Sequence, residues 1–267
     1  MFFRALVPAV PLALLVGCEG GDINLFTIED DKQLGKDVAA EIEADPATYP
    51  ILDEQEFADA YDHLYRIRDE LLVSNDFEHA DDFVWELHII DDDETLNAFC
   101  TPGGYIYVYT GLMRYLDHED ELAGVLGHEM AHADNRHSTE QLTEIYGIST
   151  LLSLVVGGDP GLLGDVATSL VSLQFSRGDE AQADEYSVRY LCDTDYAANG
   201  TAGFFEKLIA EGDSGYIPEF LSSHPDPGNR VADINALAED LECNTEYDPD
   251  ADYAALLDTL PSSGQTQ

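Results

Sequence analysis

The stretch that decides the fold is Gly127-His128-Glu129-Met130-Ala131-His132. Residues four positions apart on an α-helix are separated by about 40° of rotation, so both imidazoles project from one face and can bind one zinc ion. Glu129 lies beside them and can take a proton from the attacking water. The stretch therefore predicts a metal-binding helix, and the alternative is a pair of surface histidines on an acidic helix.

The residues around the two histidines favour the metal over this alternative. The predicted helix runs from about residue 119 to residue 135 and begins with acidic residues, which suit the positive end of a helix dipole. Its remaining positions are largely apolar and include Leu122, Val125, Leu126 and Met130. Unpaired histidines and a glutamate would be costly in such buried surroundings, so the helix is expected to carry a metal site.

A catalytic zinc site needs a third protein ligand and an open fourth position. One class of zinc protease uses a histidine ten residues after the first, but Ser138 occupies that position here. His137 follows His128 by nine residues and would lie about 180° around the helix, so it cannot complete the site while the helix continues. The third ligand must therefore come from elsewhere in the chain.

Glu180 is the better candidate for completing the site, and Asp184 follows it on the same helix. They are again four residues apart, on a helix predicted at 180–191. One carboxylate can bind the metal while the other accepts the free N–H of a ligating histidine and fixes its tautomer. Without the histidine pair these two acids would indicate only a solvated helix face. Together with the histidine pair, they favour one metal ligand and one carboxylate that orients a ligating histidine.

The rest of the chain predicts an α+β fold that is mainly helical, with one small sheet beside the metal-binding helix. Strands are predicted at 83–90 and 105–109, the second after a Pro-Gly-Gly turn. Apolar helices at 151–156 and 162–175 are each too short to span a bilayer, which favours a helical hairpin. The apolar periodicity predicts the remaining helices at 30–44, 57–72, 203–210 and 229–241.

The composition excludes electrostatic binding to nucleic acid or to an anionic lipid surface. The chain has 267 residues, with 11 Lys+Arg against 55 Asp+Glu, a formal charge of −44 and a pI of about 4.1. Such a surface repels phosphate groups, so no nucleic-acid partner is expected. The acidic residues are spread along the chain, and their mutual repulsion is most tolerable in concentrated salt. A halophilic source is therefore our hypothesis.

The N-terminus predicts export and a lipid anchor. Residues 1–17 have the features of a signal peptide, because Arg4 precedes an apolar run that is too short for a membrane span. Cys18 ends this run as in a bacterial lipobox, which predicts its lipidation; the alternative is an ordinary signal peptide with an incidental cysteine. We expect an exported protein anchored on the periplasmic side of the cell envelope, with Glu19 favouring the outer membrane over the inner.

The domain boundaries follow from these features. Residues 18–29 are expected to form a tether, 30–243 one domain that holds the metal site, and 244–267 a loose acidic tail. Three cysteines remain besides Cys18, and Cys192 and Cys243, which both end predicted helices, are the more plausible disulfide pair. The alternative is that all three, Cys100 included, are small buried hydrophobic residues.

The motifs together resemble a family of zinc metalloendopeptidases of the gluzincin type, typified by HtpX, BepA and the CAAX prenyl endoprotease. The resemblance covers about residues 30–240, and its four motifs stand in the expected order. They are Asn97-Ala98-Phe99 with Pro102-Gly103-Gly104 and Thr110-Gly111-Leu112; the histidine motif with Arg136-His137; Ser176-Arg177 with Glu180 and Ala183-Asp184; and His224-Pro225 with Arg230-Val231. The resemblance implies a zincin-like metallopeptidase domain, here as a stand-alone lipoprotein.

The resemblance also implies a role for each matching residue of the metal helix and its partner helix. One zinc ion per chain would be bound by His128, His132 and Glu180. Glu129 would act as general base and then as proton donor to the leaving amine. Asp184 would orient a ligand histidine.

The downstream and upstream motifs are expected to serve the same site. Arg230 would anchor the loop of His224 by pairing with a carboxylate. His224 would either stabilise the oxyanion or occupy the open zinc position in a resting state. An extended substrate would pair with the predicted strand 105–109 or with the loop that begins at Asn97. The substrate-binding residues implied there are Asn97, Ala98, Phe99, Gly103 and Gly104.

Two functions remain open at this point. One is hydrolysis of peptide bonds in misfolded or misassembled envelope proteins, and the other is chaperone-like binding of such clients in the same zinc cleft. Glu129, which is not needed to bind zinc, favours the endopeptidase. A structural zinc domain fits poorly, because such sites usually close with four Cys or His ligands. The expected partners are polypeptide substrates and the membrane, through Cys18, while the oligomeric state is left open.

Overall fold

The computed structural model of the protein describes residues 26–157, 159–211, 219–225, 229–247 and 253–262. Twelve α-helices and three β-strands lie in these ranges. In chain order they are α1 (Ile28–Glu43), α2 (Ala58–Leu71), β1 (Glu86–Ile90), β2 (Ala98–Thr101), β3 (Tyr105–Tyr109), α3 (Thr110–Tyr115), α4 (Glu119–Asp134), α5 (His137–Tyr146), α6 (Ile148–Val155), α7 (Pro160–Val171), α8 (Arg177–Cys192), α9 (Gly200–Glu211), α10 (Glu219–Ser223), α11 (Arg230–Asp240) and α12 (Tyr253–Thr259). The predicted signal peptide 1–17, the lipidation site Cys18 and most of the tether lie outside the described residues.

The three strands form one small sheet in the order β1-β3-β2, as expected for a mainly helical α+β fold. β1 pairs with β3 in parallel and β2 pairs with β3 antiparallel. β3 is buried along its whole length because its two faces pack into different clusters. Ile106 and Val108 belong to the larger core, while the three tyrosines that alternate with them pack against α1. β2 is left as the edge strand next to α4.

Helix α4 is the buried centre of the fold. All of its residues from Glu119 to Asp134 are buried, and it packs against β2, α8 and α9. Glu121 caps its start, since its carboxylate accepts hydrogen bonds from the two backbone N–H groups just before the helix, at 2.7 and 3.2 Å. Gly124 lets α9 approach closely, because a Cβ there would lie 2.2 Å from the Thr201 nitrogen. The predicted burial of this helix is confirmed.

The first predicted strand is shorter than expected, and a second one was missed. β1 begins at Glu86 instead of residue 83, because Trp85 has a φ of 49°, which breaks an extended chain. β2 lies in a segment that was expected to be a loop. Its four residues, Ala98 to Thr101, are all buried, so they lack the alternation of polar and apolar residues that marks a strand with one solvated face.

The N-terminal boundary of the domain also differs from the prediction. α1 begins at Ile28 instead of residue 30, because Thr27 and Asp30 form a reciprocal capping box. Phe26, just before this cap, is 3% exposed and packs in the second core cluster. The end of the predicted tether is therefore part of the folded domain.

The prediction of a loose acidic tail is wrong for residues 253–260. α12 packs against α2, and the Tyr253 hydroxyl donates a hydrogen bond to the backbone carbonyl of Met113. Tyr253, Leu256 and Leu260 are at most 7% exposed. Their spacing of three and four residues places them on one helical face, so this segment buries an apolar stripe despite its acidic neighbours.

The predicted disulfide between Cys192 and Cys243 is confirmed, with Cα atoms 5.0 Å apart. It joins the end of α8 to the segment just after α11, so the helices that carry Glu180 and Arg230 are linked. Cys100 is a free, buried thiol on β2. The alternative of three buried free cysteines is therefore wrong for two of them.

The predicted apolar helices are present as α6 and α7. Among the residues that the structure describes, no single helix has the length and apolar character needed to cross a membrane. α6 and α7 reach that length and composition only as a pair, and they are bent by 114° at their break.

Candidate metal centre

The two histidines of α4 meet Glu180 of α8 in the protein interior. His128 Nε2 and His132 Nε2 lie 3.0 Å apart, and they lie 3.5 and 3.4 Å from the two carboxylate oxygens of Glu180. All three side chains are fully buried. Ser176 starts α8 with a capping box, which places Glu180 in the first turn of the helix, facing α4. The structure thus brings together the three predicted ligands.

The donor set fits a zinc ion. Asp184 Oδ1 lies 3.0 Å from His128 Nδ1 and accepts its proton, so the lone pair of His128 faces the group through Nε2. Tetrahedral zinc with bonds of roughly 2.0–2.1 Å would separate its ligand atoms by about 3.3–3.4 Å, close to the observed spacings of 3.0, 3.4 and 3.5 Å. Buried lone pairs and a carboxylate this close together repel one another unless a cation lies between them.

His224 joins the same group from the segment after α10. Its Nδ1 lies 3.0 Å from a Glu180 oxygen and 3.3 Å from His128 Nε2. Its side chain is buried and stacks on Phe220, with ring centroids 4.3 Å apart. Two backbone hydrogen bonds hold this segment in place. Phe220 N–H donates to the Leu96 carbonyl at 3.0 Å, and Phe175 N–H donates to the Ser223 carbonyl at 3.2 Å. Four potential ligand atoms therefore converge.

Glu129 lies beside the group without belonging to it. Its side chain is fully buried, and one oxygen faces His224 Nε2 at 3.4 Å. Within the described part of the chain, neither of its oxygens has a hydrogen-bond partner. Burial raises the pKa of Glu129 to about 7, which suits a group that accepts and returns a proton near neutral pH.

Asp184 and Arg230 form a buried ion pair behind the histidines. Arg230 binds both oxygens of Asp184, at 2.7 and 2.5 Å, and also reaches a Glu180 oxygen at 2.8 Å. Burial alone would raise the pKa of Asp184, but hydrogen bonds from His128 and Arg230 hold it below its ordinary value. Burial likewise opposes ionisation of Glu180, but His224 and the two other histidines hold its pKa far below the usual range. Both carboxylates are thus kept ionised.

The predicted substrate-binding residues separate into two groups. Ala98 and Phe99 begin the edge strand beside α4, Asn97 comes just before it, and all three are buried. Gly103 and Gly104 lie in the turn between β2 and β3, where their φ values are 79° and 90°. Their carbonyls accept hydrogen bonds from backbone N–H groups just before β1 and at its first residue, and they pack against α1 and Trp85. The two glycines therefore shape the turn, and their part in binding substrate stays a prediction.

Two residues near the ligands were missed by the sequence reasoning. His137 Nδ1 lies 2.9 Å from His132 Nδ1, because α4 ends at Asp134 and the chain then turns back at Arg136, whose φ is 62°. The Phe175 ring stacks on His132 with centroids 3.9 Å apart. The predicted helix end near residue 135 was the available signal that His137 leaves the face of α4, whereas no sequence pattern indicated Phe175.

The fold and this donor set define a class of protein. A helix with two histidines four residues apart, a glutamate beside them and a third ligand from a second helix is the arrangement of a zinc metallopeptidase. Residues 61–238, more than half of the chain, match the profile of peptidase family M48. The chain belongs to this family, whose metallopeptidases use zinc, and the resemblance drawn from its motifs is confirmed.

Individual relatives agree with this assignment. The chain is similar to the mitochondrial metalloendopeptidase OMA1 of Schizosaccharomyces pombe, with 32% identity over 170 residues that cover 62% of this chain and 50% of the relative. It is also similar to the beta-barrel assembly-enhancing protease of Escherichia coli strain K12, with 28% identity over 207 residues that cover 71% of this chain and 42% of the relative. The chain thus spans half or less of the length of these two relatives.

Proposed function

We propose that this metallopeptidase is an endopeptidase that cuts misfolded or misassembled proteins of the cell envelope. The observation that carries the proposal is Glu129, a buried carboxylate that is not needed to hold a metal and has no hydrogen-bond partner among the described residues. A site that only held zinc would gain nothing from such a group, because an unpaired buried carboxylate is costly. Its place beside the histidines is the one that a general base requires.

The roles of the site residues follow from their contacts. His128, His132 and Glu180 would hold the zinc ion, which when bound polarises the scissile carbonyl and acidifies water. Glu129 would accept the proton of the attacking water and return it to the nitrogen of the leaving amine. Asp184 would hold the proton on His128 Nδ1, 3.0 Å away.

His224 would control access to the site, and Arg230 would hold the buried carboxylates in place. The close approach of His224 to the ligand atoms supports a resting state in which it occupies the fourth position, rather than a direct part in stabilising the oxyanion. Substrate would then have to displace it. Arg230 would fix the position of Glu180 and Asp184 through its buried ion pairs.

The edge strand β2 would bind the substrate backbone. An extended peptide commonly adds to an exposed or uncovered sheet edge, where backbone hydrogen bonds hold it. β2 is the outer strand on the side of α4, which supports Asn97, Ala98 and Phe99 as the substrate-binding segment. These residues are buried, and the chain just before them is bonded to the His224 segment through Phe220 N–H and the Leu96 carbonyl, at 3.0 Å. Binding there would therefore also require displacement of that segment.

The cellular setting proposed is the periplasmic face of the outer membrane, with the domain anchored by a lipid on Cys18. The lipobox-like sequence before Cys18 supports the anchor. The name of the Escherichia coli relative refers to β-barrel assembly, and this supports envelope proteins as substrates.

Casein hydrolysis by the purified chain in concentrated KCl, with and without a chelator, tests the proposed activity. We expect hydrolysis that the chelator abolishes and that zinc restores. Glu129→Gln should remove hydrolysis and leave client binding intact. Full rescue of a null strain by Glu129→Gln would contradict the proposal and support client holding instead.

A further inference from the structure

His137 has no role in the proposed reaction, yet it touches a metal ligand. Its Nδ1 atom lies 2.9 Å from His132 Nδ1, on the opposite side of that ring from the metal group. We propose that His137 and Gln182 are a positioning pair that fixes the tautomer of His132 and keeps its Nε2 free to bind zinc. This inference rests on the proposed function, because it assumes zinc at the group described above.

The direction of the hydrogen bonds is set at a backbone carbonyl. Asn135 Nδ2 lies 2.9 Å from the carbonyl oxygen of Ala131, and a carbonyl can only accept. The amide oxygen of Asn135 must therefore face the other way, where it accepts from Gln182 Nε2 at 3.0 Å. This in turn leaves the Gln182 oxygen facing His137 Nε2, at 3.1 Å. Each amide orientation thus follows from the previous bond.

The chain of hydrogen bonds continues from Gln182 through the imidazoles of His137 and His132. Because Gln182 presents an oxygen, His137 Nε2 carries the proton, and Nδ1 of the neutral His137 ring is an acceptor. His132 Nδ1 must then be the donor in the 2.9 Å contact. The proton of His132 is held on Nδ1, so its lone pair lies on Nε2, the atom that faces His128 and Glu180.

A local turn brings His137 back toward His132. Arg136 has a φ of 62°, in the left-handed region, so the chain reverses after α4 and the helix does not carry His137 to its far side. The Arg136 side chain is held by Asp31 of α1 and by the backbone carbonyl of Phe26, at 2.5 and 2.6 Å. Thr139 also donates to Asp31, at 2.9 Å. This unusual backbone conformation is therefore supported from outside the turn.

The two zinc-binding histidines have different partners, and the charges explain why. His128 is oriented by the carboxylate of Asp184, which Arg230 neutralises. A second orienting carboxylate behind His132 would add a buried negative charge to a centre that already holds Glu180 and Glu129. A neutral imidazole and amide supply the same acceptor without that charge.

Zinc affinity of the full chain tests the inference, measured by competition with a chromophoric chelator in concentrated KCl. The parent carries Glu129→Gln, which prevents self-cleavage. His137→Leu removes the acceptor and should weaken zinc binding about 10- to 100-fold. His137→Asn keeps an acceptor oxygen near the position of Nδ1 and should bind zinc nearly as tightly as the parent. The visible absorption of bound cobalt(II) should change in His137→Leu and stay close to the parent in His137→Asn.

A second pair of variants keeps the test decisive if His137→Leu folds poorly. Gln182 is exposed, so Gln182→Met should fold normally, and it should bind zinc more weakly than the parent. Gln141→Met is the matched control: Gln141 lies on α5, takes no part in the chain of bonds, and its replacement should leave zinc binding unchanged.

The outcomes separate this inference from the proposed function. A parent that binds no zinc would overturn both. A parent that binds zinc, with His137→Leu and Gln182→Met binding it equally well, would overturn the positioning role alone. So would equal losses of zinc-free unfolding stability in His137→Leu and His137→Asn with zinc affinity unchanged, because that result indicates a merely structural residue.

Discussion

Removing Arg230 should destabilise the protein strongly, because its charge compensates two buried carboxylates. Arg230 is 3% exposed, binds both oxygens of Asp184 at 2.7 and 2.5 Å, and reaches Glu180 at 2.8 Å. Breaking a buried ion pair by removing one partner costs about 3–5 kcal/mol. We expect Arg230→Met, which retains an apolar side chain over the Phe205 ring, to lower the free energy of unfolding by about 4 kcal/mol.

The assay is urea unfolding in concentrated KCl with a chelator present, so that zinc binding does not contribute. Arg189→Met is the matched control, because Arg189 pairs with Glu185 at 2.8 Å while the two side chains are 33% and 47% exposed. An exposed pair of this kind contributes less than about 1 kcal/mol. A loss in Arg230→Met no larger than that in Arg189→Met would refute the reasoning. Asp184→Asn combined with Arg230→Met should be less destabilising than the sum of the two single changes.

Three further predictions concern His224, the metal and the disulfide. If His224 occupies the fourth position about nine-tenths of the time, His224→Ala should raise casein hydrolysis about tenfold; a fall of about 100-fold would instead indicate oxyanion stabilisation. Zinc at about 1,000 times its dissociation constant should stabilise the fold by about 4 kcal/mol, so chelation should lower the urea midpoint, and an unchanged midpoint would argue against a bound ion. The disulfide closes a sequence separation of 51 residues, for which chain entropy gives about 4 kcal/mol. The double variant Cys192→Ser with Cys243→Ser should show this loss, and a reductant should leave that variant unaffected.

The metal centre could be predicted from the sequence because helical spacing is a local property. His128 and His132 share a face of α4 whatever surrounds the helix. The spacing of Glu180 and Asp184 indicated that one of them would be a ligand and the other its partner, but both lie on one face. Only the packing of α8 against α4 decides which carboxylate enters the group, and the resemblance to the family supported Glu180 as that carboxylate.

The features that were missed depend on tertiary contacts. Arg136 adopts a left-handed conformation held by Asp31, more than a hundred residues earlier in the chain, so no local pattern gives the position of His137. β2 is buried on both faces, which removes the alternation that would have marked it as a strand. The apolar face of α12 was missed because the acidic composition of this segment suggested a loose tail. The spacing of its apolar residues would have indicated a helix.

Anomalous X-ray scattering at the zinc edge, from crystals of the purified full chain, tests the central claim most directly. The account predicts one strong peak per chain at roughly 2.0–2.2 Å from His128 Nε2, His132 Nε2 and a Glu180 oxygen. A zinc-supplemented crystal with no peak there, or with its peak on a different set of side chains, would contradict the assignment of these three residues as the metal ligands.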